Sequence, residues 1–354
     1  MAAPADRAWP HVPLAVVERG GRVESVHAGS VAVVDADGRL VASAGDPGYV
    51  SFTRSSLKPL QALPFVAAGG PARFGLSGEQ VALLCASHSG EARHQAAVAD
   101  LLARAGCSAA DLACGTHAPF VYDALGEPPP PPPYSPLGHN CSGKHAGMLA
   151  CCVLHGWSCA DYLDVDHPLQ QSIRNAVARL ADASAGDLVP VIDGCSAPNY
   201  ALPLSGLARA FARVASGRAG SDSAACRTLS DAMVAHPEFV SGTGGGDLAL
   251  MRAGRGAWIA KVGAEGVQAI GLRTRGLGIA LKVVDGSSRA RLAIAVGVLD
   301  ALGVLEGPSR TELLPFSAQV LHNARGMAVG ALRSVVVLDK RPAPRGFDDP
   351  SGTR

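Results

Sequence analysis

The order of elements in this chain, strands first, then a long helical middle, then strands again, sets the strongest limit on its fold. Leu14-Ala15-Val16-Val17 is followed by Glu18-Arg19-Gly20-Gly21, and Val31-Ala32-Val33-Val34 by Asp35-Ala36-Asp37-Gly38. Asp-Gly between β-branched runs is a hairpin signal, so the N-terminus reads as an antiparallel meander. Residues 55–68 and 91–105 then read as helices, with Ser77-Gly78-Glu79-Gln80 as a capping box between them. Pro59 fits a first helical turn, and Pro64 predicts a kink or an early end. Six consecutive prolines, Pro128 to Pro133, predict an extended, solvated loop. Helices are expected near 144–156, 167–182, 203–216, 222–235 and 289–302, and strands at 257–261, 267–270 and 278–284. The two strand sets should lie side by side in one central antiparallel sheet flanked by helices, an α+β architecture. Residues 1–340 are expected to form a single catalytic domain, with 341–354 a disordered tail.

The bulk properties remove several classes of partner. At 354 residues and 48% hydrophobic content the chain can bury a large core. A net charge of +1, without a basic run, excludes a nucleic-acid binder by expectation. There is no 18-residue apolar stretch and no charged-then-apolar start, so neither a membrane helix nor a signal peptide is expected. Nine cysteines, an odd number with Cys151 and Cys152 adjacent, fit a reduced cytoplasmic protein better than a disulfide framework.

Only five lysines stand against twenty-six arginines. Arginine keeps its proton in a protein, whereas a desolvated lysine can become a neutral base or a metal ligand. Lys58 closes Ser55-Ser56-Leu57-Lys58. At a helix start, positions i and i+3 share a face, so Lys58 is expected to reach the Ser55 hydroxyl and take its proton. An ordinary cap with a solvated lysine is the alternative. Lys261-Val262-Gly263 on a strand is the second half of such a pattern, since its glycine lets a substrate lie against the backbone. Cys85-Ala86-Ser87-His88-Ser89-Gly90 joins two helices, where Ser87 either faces a pocket or caps a helix.

Asn140-Cys141-Ser142-Gly143-Lys144-His145 is open to three readings. Gly138-x4-Gly143-Lys144 matches part of a phosphate-binding loop, but His145 replaces the Mg²⁺-holding hydroxyl and a proline-rich segment precedes it. Cys141-x-x-Lys144, with Cys195 of Asp193-Gly194-Cys195 as a distant third ligand, has spacing suited to zinc, and His139 or His145 could substitute. The third reading is a buried structural thiol pair beside a helix capped by Asn140.

Taken together and in order, Thr53-Arg54-Ser55-Ser56-Leu57-Lys58-Pro59, Cys85-Ala86-Ser87-His88-Ser89, Asn140-Cys141-Ser142-Gly143-Lys144-His145, Asp193-Gly194-Cys195 and Lys261-Val262-Gly263 resemble the rhizobial-type (class 3) L-asparaginases of the asparaginase II family. The similarity runs from about Leu14 to Val284 and more loosely onward. This resemblance implies a fold similar to serine β-lactamases and glutaminases, and a homodimer. It implies two Ser–Lys pairs, Ser55 with Lys58 and Ser87 with Lys261, and one zinc ion held by Cys141, Lys144 and Cys195. It places Arg54, His145, Asp193 and Gly263 against the substrate. The expected function is hydrolysis of L-asparagine to L-aspartate and ammonia through an acyl-enzyme, with Ser55 favoured as nucleophile because of its i+3 lysine. An amidase acting on glutamine, or on a β-lactam-like or peptide amide, is the nearest alternative, because one methylene discriminates by only ~1–3 kcal/mol. A zinc-stabilised domain without catalysis is the alternative from another class.

Overall fold

The computed structural model describes residues 9–341, so the expected tail beyond Arg341 lies outside the described residues. Arg341 itself still donates its backbone N–H to Val41.

The chain opens with β1 (Val12–Arg19) and β2 (Arg22–Asp35), joined through Gly20-Gly21, both with positive φ. It then folds back as β3 (Leu40–Ala44), after a turn in which the Asp35 carboxylate accepts the N–H groups of Asp37 and Arg39. β4 (Val50–Phe52) leads into the helical middle: α1 (Lys58–Ala67), α2 (Gly70–Arg73), α3 (Gly78–Leu83), α4 (Ala92–Arg104), α5 (Val121–Leu125), α6 (Ser142–His155) and α7 (Pro168–Ala181). β5 (Pro190–Ile192) and β6 (Pro198–Pro203) precede α8 (Leu204–Ser216), α9 (Ser223–Ala235), α10 (Pro237–Val240) and α11 (Gly246–Gly254). The chain closes with β7 (Trp258–Gly263), β8 (Val267–Leu272), β9 (Leu277–Val283), α12 (Ser288–Ala301), α13 (Gly307–Ser317), β10 (Ala318–His322), β11 (Ala328–Ser334) and β12 (Asp339–Lys340).

The N- and C-terminal strands lie side by side, as their order predicts. A nine-stranded antiparallel sheet runs β10-β11-β1-β2-β9-β8-β7, with β3 joining β2 and β12 joining β3. Its central seam is β2 with β9, in register from Gly29↔Val283 to Asp35↔Leu277. The sequence reading stops short at the C-terminus. β10 and β11 are half-exposed and extend the sheet beyond β1, so β1 is not an edge. The small sheet β4-β6-β5 also went unread, because its short strands begin or end in Pro190, Pro198 and Pro203, which signal loops.

Every residue of β8 is buried, so both faces of the sheet are covered there, and α8 and α12 both pack on it. α8 approaches closely because β8 and β9 place glycines beneath it. A Cβ on Gly278 would collide with the Ala208 carbonyl oxygen, and one on Gly271 would crowd Phe211 O and Ala215. α6 is buried without a break from Ser142 to Cys152, so it has no solvent face for the first three turns. The capping box of Ser77 and Gln80 forms as expected. Pro59 occupies the first turn of α1, and Pro64 is carried within the helix, which ends three residues later. Pro128 to Pro133 are all exposed, outside any helix or strand. No described helix is long and apolar enough to cross a membrane.

Gly278 has ordinary φ, so the cost of a side chain there is purely steric. Gly278→Ala is expected to destabilise the protein by about 3 kcal/mol or more, read as a lowered urea midpoint with an unchanged slope.

Candidate active site

Two of the scarce lysines meet at one hydroxyl. Lys58 opens α1 and Lys261 lies on β7, and both amines are 2.9 Å from the Ser87 Oγ, in the loop that follows α3. Lys58 is 1% exposed and Lys261 0%. The Lys58 amine also donates to Ala86 O at 2.5 Å and to Asn140 O at 3.4 Å, so all three of its donors are engaged. The Lys261 amine donates further to Val262 O and stands 3.5 Å from the Asp247 carboxylate. Burial lowers the Lys261 pKa to about 8, with Asp247 opposing that shift and Lys58 assisting it. An amine poised there gives up its proton near neutral pH.

The loop carrying Ser87 is held by histidine. His88 Nε2 donates to Ser142 Oγ, whose own proton goes to Leu137 O, while His88 Nδ1 accepts the Gly90 N–H. Burial drives the His88 pKa well down, so the ring is a neutral strut. The Ser87 N–H is spent on Val240 O.

Ser55 lies in the 3-10 turn Arg54–Leu57 just before α1. Among the described residues its hydroxyl has no hydrogen-bond partner, and Lys58 reaches past it to Ser87. The expected Ser55–Lys58 hydrogen bond is therefore replaced, because Ala86, Ser87 and Asn140 together offer the Lys58 amine three acceptors. The turn is strained at Arg54, whose φ is 51°. Asn199 on β6 holds it there, accepting Thr53 Oγ1–H and Arg54 N–H and donating to Arg54 O, each at 3.0 Å. The Arg54 guanidinium meets Asp193 Oδ1 at 2.7 Å. Although burial opposes it, this pairing and the Gly194 N–H lower the Asp193 pKa.

Cys141, Lys144 and Cys195 converge next to this group. Lys144 Nζ lies 2.8 Å from Cys195 Sγ, and all three side chains are buried. A hydrogen bond with Cys195 pulls the Cys141 thiol well below its ordinary pKa against the effect of burial, with Lys58 and Lys144 contributing. Burial opposes charge on Lys144, yet the Cys195 and Cys141 sulfurs raise its pKa. Two thiols and one amine are a donor set that suits zinc. Among the described residues no three His, Cys, Asp or Glu side chains group to hold a metal, so Lys144 is needed to complete the set. His145 is buried and neutral, its pKa taken to about 4 by burial and by Lys144. Its Nδ1 is 2.7 Å from the Tyr162 hydroxyl, which accepts the Ala113 N–H, and its Nε2 has no hydrogen-bond partner among the described residues.

A cleft of about 610 Å³ opens onto the two serines, lined also by Asn140, Val262, Gly263, Arg291 and the glycine-rich segment 243–246. A family model described as L-asparaginase II matches residues 15–334. The chain belongs to the asparaginase II family. No curated protein matches it. Membership of the asparaginase II family points to an amidohydrolase.

For this asparaginase II family member, the structure brings Ser55, Ser87 and Gly263 to the cleft wall, with Lys58 and Lys261 directly behind. Arg54, Asp193 and His145 sit beside the thiols and do not line the cleft. Asn140 does line it, but does not cap α6. Its Oδ1 faces His117 Nε2, and the N-cap position belongs to Cys141. The phosphate-loop reading fails on contact, since the Lys144 amine is committed to Cys195. Sequence reasoning missed Asn199, His88, Gln268 and the contact of Asp247 with Lys261.

Asn199→Ala removes three hydrogen bonds that hold a left-handed Arg54. It is expected to cost about 1–3 kcal/mol in urea unfolding. A loss no larger than that of an exposed Asn→Ala control would show that Arg54 keeps its conformation without Asn199.

Proposed function

We propose that this protein hydrolyses L-asparagine to L-aspartate and ammonia, with Ser55 as nucleophile and Ser87 as proton relay to Lys261. The observation that carries this reading is the Ser87 hydroxyl between two buried amines. With Lys58 donating an N–H to it and a neutral Lys261 accepting its proton, the Ser87 oxygen keeps one lone pair, with which it can take the proton leaving Ser55. Ser55 faces the same cleft with its lone pairs unspent. Its backbone N–H, in the first turn of a 3-10 segment, has no intrahelical partner and can donate to a developing oxyanion.

In this mechanism Ser55 Oγ attacks the side-chain amide carbon while its proton passes through Ser87 to neutral Lys261. The C–N bond then breaks as the same proton returns through Ser87 to the leaving nitrogen, which departs as ammonia. Water attacks the ester by the reverse proton path, releasing aspartate and restoring Ser55. Lys58 donates to the Ser87 oxygen and fixes it. For Arg54 and Asp193 to hold the two ends of a zwitterionic amino acid, their mutual ion pair has to open toward the cleft, since neither residue lines it. Zinc, when bound, would be held by Cys141, Lys144 and Cys195 and would supply positive charge that orients the substrate. We further read the chain as one catalytic unit of serine β-lactamase-like fold, homodimeric and cytoplasmic. A cleft this large also suits longer amides, so glutamine and asparaginyl peptides belong beside asparagine in any assay.

Ser55→Ala should lower kcat by at least about 10³-fold, and Ser87→Ala by roughly 10²–10⁴-fold. With a slowly deacylating substrate, intact-mass analysis should place the acyl group on the peptide containing Ser55. Acylation on Ser87 would reverse the two roles. The base works only when neutral and its pKa lies at about 8, so kcat/KM should rise with pH and level off above it. A profile falling through that range would exclude Lys261 as the base.

Metal analysis of protein purified without chelator should find roughly one zinc per chain. Occupancy should fall in Cys195→Ser, and also as pH drops, because protons compete for two thiolates and an amine. Full occupancy in that variant would exclude Cys195 as a ligand.

A further inference from the structure

Asp247 is a buried carboxylate at the start of α11, 1% exposed, in a helix that is otherwise largely apolar. It does not cap its own helix. Its Oδ2 accepts the Val262 N–H at 2.7 Å, and its Oδ1 accepts the Gln268 side-chain amide at 2.8 Å. The Gln268 amide oxygen in turn accepts from Arg291 on α12, and Arg291 reaches the cleft wall. Both carboxylate oxygens are therefore anchored by neutral N–H groups of β7 and β8, whether or not Lys261 is charged. The Lys261 amine lies 3.5 Å from Oδ2, beyond its closer bonds to Ser87 and Val262.

We propose that Asp247 is a positioning residue for the reaction, a fixed carboxylate that sets how readily Lys261 gives and takes the proton it exchanges with Ser87. The chain Arg291–Gln268–Asp247–Lys261–Ser87 runs from the cleft wall to the proton relay through hydrogen bonds and one ion pair. The proposal rests on the reading of Lys261 as base. That role makes two demands on the amine. It must accept the proton of the attacking hydroxyl and then return it to the departing nitrogen, so its proton affinity has to match the working pH. Burial alone would leave Lys261 neutral and a weak base, reluctant to take the proton it must later return, and Lys58 from α1 and Arg291 from α12 push the same way. Asp247, with Cys141 from the start of α6, pushes back. The thiol of Cys85, behind the loop, has its pKa raised to about 12 by burial and stays uncharged. Asp247, 3.5 Å away, is the larger opposing influence, and because its oxygens are bound elsewhere it tunes the amine without capturing it.

With five lysines in the chain, protein labelled with ¹³C at lysine Cε gives a spectrum in which Lys261 is assignable from a single substitution. Titrating the parent and Asp247→Asn measures the Lys261 midpoint directly. The expected result is a midpoint lower in Asp247→Asn by roughly one to three pH units. An unmoved midpoint in the folded variant overturns the proposal. Should Asp247→Asn not fold, Arg291→Gln on the cleft wall serves instead. Loss of that cation is expected to raise the midpoint, and a lowered or unchanged value overturns the chain. Activity separates this proposal from the mechanism it rests on. A lowered midpoint accompanied by an equal acid shift in the kcat/KM limb supports both. A lowered midpoint with an unmoved limb supports the Asp247 assignment and overturns Lys261 as the base.

Discussion

Two lysine amines buried against a single serine oxygen are the constraint around which the rest of the structure is arranged. Removing an ammonium from water costs several kcal/mol unless other groups replace the solvent. Here the replacements come from segments distant in sequence. Ala86 O and Asn140 O come from two loops, Val262 O from β7, and the Asp247 carboxylate from α11. These elements must all arrive at one point before either charge is tolerable. The antiparallel sheet supplies β7, and the buried α6 fixes the Asn140 loop through the bond between Ser142 and His88. Fold and site are thus a single problem of compensation.

The same logic ties the amines to the thiols. The Asn140-Cys141 peptide lies between them: Lys58 bonds the Asn140 carbonyl, while the Cys141 sulfur faces Cys195 and Lys144. Against burial, the Cys195 and Cys141 sulfurs raise the Lys144 pKa, while hydrogen bonding with Cys195 and the two nearby lysines lowers that of Cys141. A metal at these ligands would displace the proton on Lys144 and change the field felt by Lys58. Arg54 and Asp193 neutralise one another beside the thiols.

Much of this was legible in the sequence, for physical reasons that also explain the rest. β-Branched runs broken by Gly-Gly and Asp-Gly announce the first hairpins, and a 3.6-residue period announces α4 and α8. The rarity of lysine pointed to Lys58, Lys144 and Lys261, and all three are buried and engaged. The partner of Lys58 was misread. Helical spacing says which side chains share a face but is blind to acceptors brought in from elsewhere, and Ala86, Ser87 and Asn140 out-compete Ser55. Asn199, Gln268 and Asp247 act across the fold and have no local pattern. One signal did exist for Gln268, an amide inside the wholly apolar run of β8. A buried polar side chain must find a partner, and its partners here are Asp247 and Arg291.

The central claim is that a lysine able to lose its proton, placed where an arginine would offer charge alone, drives the reaction. Its most direct test is ammonia release from L-asparagine by Lys261→Arg, compared with the parent protein at saturating substrate. Guanidinium keeps its charge at any working pH. The account predicts that turnover falls by at least about 10²-fold and is not recovered by raising the pH. Turnover close to that of the parent would contradict it, leaving Lys261 as a source of positive charge with no part in moving the proton.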